Sequence, residues 1–331
     1  MPANIALPST KLLIAAGLFA SLAACDSSPD FEQGADAQGH TAPTSVTVQA
    51  NKAVLEQRPF ANRIDFENAT KGLIASEDGL TIDHLEGGKV WDMPAYDFID
   101  AKGDNAPASV NPSLWRQAAL NNINGLFKVS DGIYQIRGYD LSNMSIIESD
   151  NGWILVDPLT SRETASHALL FAQKHLGKQP IKAILFTHSH IDHFGGVQGI
   201  LQHLSDAEKA ELEIIAPEGF EEEATSENII AGTAMSRRAM YMYGKNLART
   251  ERGHVGTGLG KGPAFGTFGF ENPTKLIGHN NTNISIDGVP FEFQIVSGSE
   301  APAEFTFYLP KHKAFCGAEL VSNNMHNLYT L

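Results

Sequence analysis

Phe186-Thr187-His188-Ser189-His190-Ile191-Asp192-His193-Phe194-Gly195-Gly196 gathers three of the chain's 12 histidines and one carboxylate into six consecutive positions. Neutral imidazoles and a carboxylate are donors suited to zinc. Alternating His-x-His residues can converge on one ion while Asp192 and His193 turn towards a second. Ile181 to Phe186 is mostly apolar and β-branched or aromatic, which predicts a buried strand that delivers these donors into a loop. Gly195-Gly196 then allows a tight backbone turn before a helix over Val197 to Leu204. Histidines that merely decorate a polar turn scatter along a chain, whereas these cluster, so the stretch reads as a metal-ligand loop.

The chain has 331 residues, 42% of them hydrophobic, and a mean hydropathy of −0.16. That is enough for one large domain with extensions, and it is the composition of neither a disordered nor a multi-spanning protein. A formal charge of −14 argues against sequence-independent nucleic-acid binding, which needs a basic footprint. An anionic substrate would need local positive charge, which metal ions can supply.

At the N-terminus, Lys11 precedes an apolar run of 13 residues, Leu12 to Ala24, well short of the ~20 that span a bilayer. Leu22-Ala23-Ala24-Cys25 resembles a bacterial lipoprotein cleavage box. The resemblance implies a signal peptide over 1–24, a lipid on Cys25 that anchors the protein to a membrane, and a periplasmic location; Asp26 favours inner-membrane retention. Cys25 and Cys316 are the only cysteines, so a lipidated Cys25 leaves no intramolecular disulfide, and Cys316 is expected as a small core residue.

Residues 25–51, rich in Ser, Asp, Ala, Gln and Thr, read as a flexible tether. Residues 52–125 form a globular extension that contains no ligand cluster, with Asp65-Phe66-Glu67, Trp91-Asp92-Met93 and Asn111 to Arg116 as docking segments. The main domain is expected over 126–331. Gly132 to Arg137, Ser145 to Glu148 and Trp153 to Val156 alternate as antiparallel strands, with a turn at Asp150-Asn151-Gly152. Thr160-Ser161-Arg162-Glu163 has capping-box spacing, and Ala165, Leu169, Ala172 and Leu176 follow at helical intervals to a stop at Gly177. Helices are further expected over Asp206 to Glu213 and Ala231 to Leu247, and a glycine-rich loop over Gly253 to Gly260. Val289 to Val296, Ala303 to Leu309 and Lys313 to Ala318 read as strands, which leaves Glu300 and Glu319 just beyond strand ends, the kind of position the histidine loop also takes.

The pattern His-x-His-x-Asp-His-x-Gly-Gly after an apolar strand resembles the metallo-β-lactamase fold superfamily, an α/β (α+β) αββα sandwich. Further segments are similar to the linear alkyl sulfatase family: Pro112 to Gln117, Gly138 to Asn143, Asp157-Pro158-Leu159, Met235 to Arg238, Ser299 to Glu304 and Met325 to Leu331. That resemblance implies zinc-dependent hydrolysis of alkyl sulfate esters, such as dodecyl sulfate, to an alcohol and inorganic sulfate. It places His188, His190 and Glu300 on one zinc, Asp192 and His193 on a second, and Glu319 at the binuclear centre; Glu304 is a competing carboxylate for the place of Glu300. His254 and Asn327 fall where the family contacts the sulfate. Water bridging two zinc ions has its pKa brought from ~15.7 towards ~7, so a hydroxide nucleophile is expected beside Asp192.

The family continues past the position of Leu331, with an arginine for the sulfate, another histidine ligand, a helical dimerisation region and a sterol-carrier-like domain. The resemblance therefore implies a sandwich incomplete at the C-terminus of this chain, a second zinc short of one ligand, and a homodimer whose contact region is absent from it. The competing expectations are an inactive zinc-binding lipoprotein and another hydrolase of the same fold.

Overall fold

A computed structural model describes residues 39–322. The expected signal peptide over 1–24, Cys25 and Asn327 lie outside the described residues. The first elements are α1 (Ser45–Gln57), α2 (Ile64–Thr70), β1 (Leu73–Ala75), β2 (Thr81–Asp83), β3 (Lys89–Asp92) and α3 (Pro112–Leu120).

Helix α1 corrects the expected tether, because Ser45 to Asn51 are helical. Thr44 caps the helix by accepting the Thr47 N–H, and no Gly or Pro interrupts the run that follows. Asn51 fastens it to the extension by donating to the Ala108 carbonyl at 2.8 Å. Two of the docking segments are tied together within the extension itself. Arg116 grips Asp65 through two hydrogen bonds of 2.8 and 2.7 Å, and Trp115 donates its indole N–H to Asp100 at 2.8 Å. The boundary at 125/126 does not separate two bodies, since β1 pairs with β4 (Gly125–Ser130) as the edge strand of the main sheet.

Strands β4, β5 (Ile133–Arg137), β6 (Met144–Glu148) and β7 (Trp153–Val156) run antiparallel as the alternation predicts. Helix α4 (Arg162–Leu176) crosses over to β8 (Ile181–Leu185), which lies parallel to β7. The α4 N-cap is Ser161, and Glu163 closes no capping box; its carboxylate instead accepts from Thr267 N and Oγ1 at 2.9 and 2.8 Å. Gly177 stops the helix at φ 87°.

After the histidine loop come α5 (Ile191–Phe194), α6 (Val197–Leu201), α7 (Asp206–Glu211), β9 (Glu213–Pro217), α8 (Phe220–Thr225), a π-helical turn over Ser226–Ile230, α9 (Gly232–Tyr243) and β10 (Lys275–Ile277). Helix α9 ends four residues before the expected Leu247, because Gly244 turns the chain left-handed at φ 61°. The main sheet has the order β1-β4-β5-β6-β7-β8-β9-β10 and is parallel from β7 onwards. A second, antiparallel sheet contains β11 (Thr282–Ile286), β12 (Val289–Ile295), β13 (Phe305–Leu309) and β14 (Ala314–Cys316).

Burial follows from these pairings. Strand β7 is buried at every position, as a strand covered on both faces must be, whereas β12 alternates buried and exposed residues. One face of the main sheet packs Ile146, Leu155 and Ile184 against Ala168 and Leu169 of α4 and Ile200 of α6. Its other face packs Ile154, Val156 and Leu185 against Phe291, Phe293, Phe305 and Phe307 of the second sheet. Pro290, Glu292, Gln294 and Tyr308 are exposed, so the described residues form the α, β and β layers of the expected sandwich. Cys316 sits at the edge of the inter-sheet core rather than within it, and burial pushes its thiol up to about 12.

The two glycines of the histidine motif serve a different purpose from the one their identity predicts. Gly195 and Gly196 keep negative φ, at −58° and −85°, so neither needs glycine for the turn itself. A Cβ on Gly196 would lie 2.1 Å from the Pro158 carbonyl oxygen and 2.7 Å from that of Ser161, where backbone leaves no room. Gly196→Ala is therefore expected to destabilise the protein by about 2 kcal/mol or more, in the upper part of the overpacking range. Urea unfolding measures this, and an unchanged midpoint would refute the packing argument.

Candidate metal centre

Three strand ends converge on one place. The end of β8 carries His188 and His190 in the loop and Asp192 and His193 on α5. The connection from β12 to β13 carries Glu300, and the chain just past β14 carries Glu319. The second sheet is stitched to the histidine loop by the Phe305 N–H, which donates to the Thr187 carbonyl at 3.0 Å, and by a bridge between His188 and Glu304.

Six of the eight site residues expected from the sequence come together. His188, His190, Glu300 and Glu319 offer donor atoms all within 4.8 Å of one another, as do Asp192, His193 and Glu319. Glu319 belongs to both groups, lying 3.4 Å from His188 Nε2 and 3.2 Å from His193 Nε2. Glu300 Oε2 lies 3.1 Å from His190 Nδ1 and 3.6 Å from His188 Nε2. Glu304 takes no part in either group. It is fully buried and caps the loop, its Oε2 accepting from Ser299 Oγ, Glu300 N and Ala301 N at 3.1–3.2 Å.

The ring orientations are set from behind by Asp157, a residue to which the sequence reading gave no role. Its Oδ1 accepts the Thr187 N–H and its Oδ2 accepts both the Thr187 hydroxyl and the His193 Nδ1–H, each at 2.8 Å. With its proton given to Asp157, the Thr187 hydroxyl accepts from His188 Nδ1 at 2.9 Å. Both rings therefore carry their proton on Nδ1 and present Nε2 to the carboxylates, the orientation that outer hydrogen bonds impose on metal-binding histidines. Asp157 and Leu159 adopt left-handed backbone, φ 57° and 63°, a strain of the kind that concentrates at functional sites. Asp192 is tied down through its carbonyl, which accepts from the Ser142 hydroxyl.

Burial alone would lower the pKa of His193 and raise that of Asp192, yet their mutual attraction reverses both shifts, with Asp157 adding to the pull on His193. For Glu319, burial is likewise outweighed by its contacts with His188 and His193, which hold it well below the usual carboxylate range. His190 is raised well above the usual range, because contacts with Glu227 and Glu300 overcome the effect of burial.

The cluster thus gathers anionic carboxylates and draws protons onto imidazoles, a place where a divalent cation can replace those protons. Two polar atoms confirm the fit. His188 Nε2 and Glu300 Oε2 are buried, lack a hydrogen-bond partner and lie within the same donor group. Histidine nitrogens with carboxylate oxygens suit a divalent metal of the first transition row.

His254, expected at the substrate, lies in the glycine-rich loop with its Nδ1 3.0 Å from the Tyr96 hydroxyl. It is 3% exposed, and burial beside Arg249 and Lys261 pushes it down to about 4. Tyr96, Arg249 and Lys261 line a cavity of about 290 Å³ together with Trp91 and Met93. Asn327 lies outside the described residues. The residues that sequence reasoning missed are Asp157 and Glu227. Asp157 opens the Asp157-Pro158-Leu159 segment of the alkyl sulfatase resemblance, and Glu227 gave no signal apart from its place after the acidic run Glu221 to Glu223.

The family model of the metallo-β-lactamase superfamily matches residues 137–281. A linear primary-alkylsulfatase of a Pseudomonas species is 46% identical over 288 residues, 87% of this chain and 42% of that protein. An alkyl/aryl-sulfatase of Saccharomyces cerevisiae is 45% identical over 86% of this chain and 44% of its own length. Among solved structures, a stereoselective inverting sec-alkylsulfatase of Pseudomonas superposes with a TM-score of 0.77 at 45% identity, covering 83% of this chain and 43% of that one. The chain thus spans less than half the length of these relatives. Residues 137–281 match the metallo-β-lactamase superfamily, and most of the chain is similar to alkylsulfatases.

Proposed function

We propose that the protein hydrolyses alkyl sulfate esters of the dodecyl sulfate type to an alcohol and inorganic sulfate, with two zinc ions at the centre formed by the histidine loop. One zinc is assigned to His188, His190 and Glu300, the other to Asp192 and His193, with Glu319 shared. The observation that carries this reading is the pair of donor groups meeting at Glu319, on a chain about 46% identical to a linear primary-alkylsulfatase. Metal ions bound there supply Lewis acidity and lower the pKa of water.

The chain's own residues supply placement. Three carboxylates, Asp192, Glu300 and Glu319, against two dications leave a net charge of about +1, which favours a monoanionic ester. Thr187 and Asp157 keep Nε2 of His188 and His193 turned inwards. The lipoprotein box at Leu22 to Cys25 supports anchoring through Cys25 and a periplasmic site of action, where an amphiphilic ester arrives from outside the cell.

The direct test is sulfate release from dodecyl sulfate by the full chain, with zinc added and with a chelator control. Chelator-sensitive release is expected. Tight zinc binding without release from any ester would favour a zinc-binding lipoprotein instead. Asp157→Ala is expected to weaken zinc binding about 10–100-fold, the usual cost of losing an outer-shell partner. Competition with a chromophoric chelator measures it, and unchanged affinity would remove Asp157 from the account.

A further inference from the structure

Each histidine of the centre has one nitrogen turned towards the donor groups, and its other nitrogen needs a partner behind it. Thr187 serves His188, and Asp157 serves His193. For His190 the inward atom is Nδ1, 3.1 Å from Glu300, whereas His188 and His193 turn Nε2 towards Glu319. Behind it stands Glu227, with Oε1 3.5 Å from His190 Nε2.

Glu227 reaches that position because of a backbone irregularity. Between α8 and α9 the chain takes one π-helical turn, Ser226–Ile230, closed by the Ala231 N–H donating to the Ser226 carbonyl at 3.0 Å. The wider turn divides its side chains. Glu227 is 22% exposed and points at the histidine loop, whereas Ile229 and Ile230 are 77% and 79% exposed. Exposing two isoleucines is unfavourable by itself, and π-turns within helices are frequent at functional sites. The other carboxylate oxygen, Glu227 Oε2, is buried without a hydrogen-bond partner, so the side chain is held inward without an alternative partner for that atom. Asn228 steadies the turn by donating to the Ala224 carbonyl at 2.8 Å.

We propose that Glu227 is the positioning residue of His190, an outer carboxylate that the π-turn places so that His190 meets the metal site through Nδ1. The inference rests on the cluster being a metal centre. Glu227 belongs to neither donor group and so acts through the imidazole. Its 3.5 Å separation is longer than a formed N–H···O bond. A cation on Nδ1 makes the Nε2–H a stronger donor, which draws the carboxylate closer and raises the affinity of the ring for the metal. A one-residue shift of Glu227 along an ordinary α-helix would rotate it by about 100° and lose the contact.

The test uses the full chain, zinc titrated against a competing chelator, and the absorption spectrum of the cobalt-substituted protein. Glu227→Ala is expected to lose about 10–100-fold in zinc affinity and to alter the cobalt bands. Glu227→Gln, which keeps an acceptor at the same reach, is expected to recover most of that loss. Glu227→Asp, which keeps the charge but withdraws it by one methylene, should lose affinity as well and serves if the alanine variant does not fold. Glu222→Ala, exposed on α8, is the control and should match the parent protein. Parent-like affinity and spectrum in both the alanine and aspartate variants would overturn the inference while leaving the metal centre intact. A parent chain that binds no zinc would overturn the metal-centre reading, and this inference with it.

Discussion

Asp157 holds three hydrogen bonds of 2.8 Å at the point where β7 ends, and the arrangement of the centre depends on them. Two go to Thr187 and fix the path of the chain leaving β8; the third fixes His193 directly. Through the Thr187 hydroxyl the same carboxylate also sets His188. A carboxylate in this place costs strain, visible in the left-handed backbone of Asp157, and needs neighbours that leave it no alternative. The parallel pairing of β7 and β8 supplies them, because it brings the ends of both strands to the same edge of the sheet.

The donors then come from two sheets, and this explains why the inter-sheet core matters to the chemistry. Phe291, Phe293, Phe305 and Phe307 lock the second sheet against β7 and β8. The Phe305 N–H bond to Thr187 carries that packing to the histidine loop. Glu300 and Glu319 are thus placed by hydrophobic burial some residues away, while Glu304 spends its charge on holding the loop that presents Glu300.

The clustered donors His188, His190, Asp192 and His193 were legible in sequence because side chains at such short spacing cannot scatter in space. Glu300 and Glu319 were legible only through family resemblance, since nothing local distinguishes them from other carboxylates at strand ends. The strands announced themselves by alternation, and α4 by its period and by Gly177. What stayed hidden were interactions between distant positions. Asp157 to His193 and Glu227 to His190 join separate elements, and the π-turn has no composition of its own. The helix over Ser45 to Asn51 was hidden for another reason: its polar composition matches that of a tether, and the Thr44 cap decides the outcome. The tight packing of Gly196 also lay outside sequence reasoning, which looks first for positive φ.

Diffraction data collected across the zinc absorption edge from crystals of the full chain grown with zinc would decide whether the clustered donors form a binuclear centre. Two anomalous peaks are expected, one within bonding reach of His188 Nε2, His190 Nδ1 and Glu300, the other of Asp192 and His193, with Glu319 between them. Zinc bound elsewhere, or no peak among these six side chains, would contradict it.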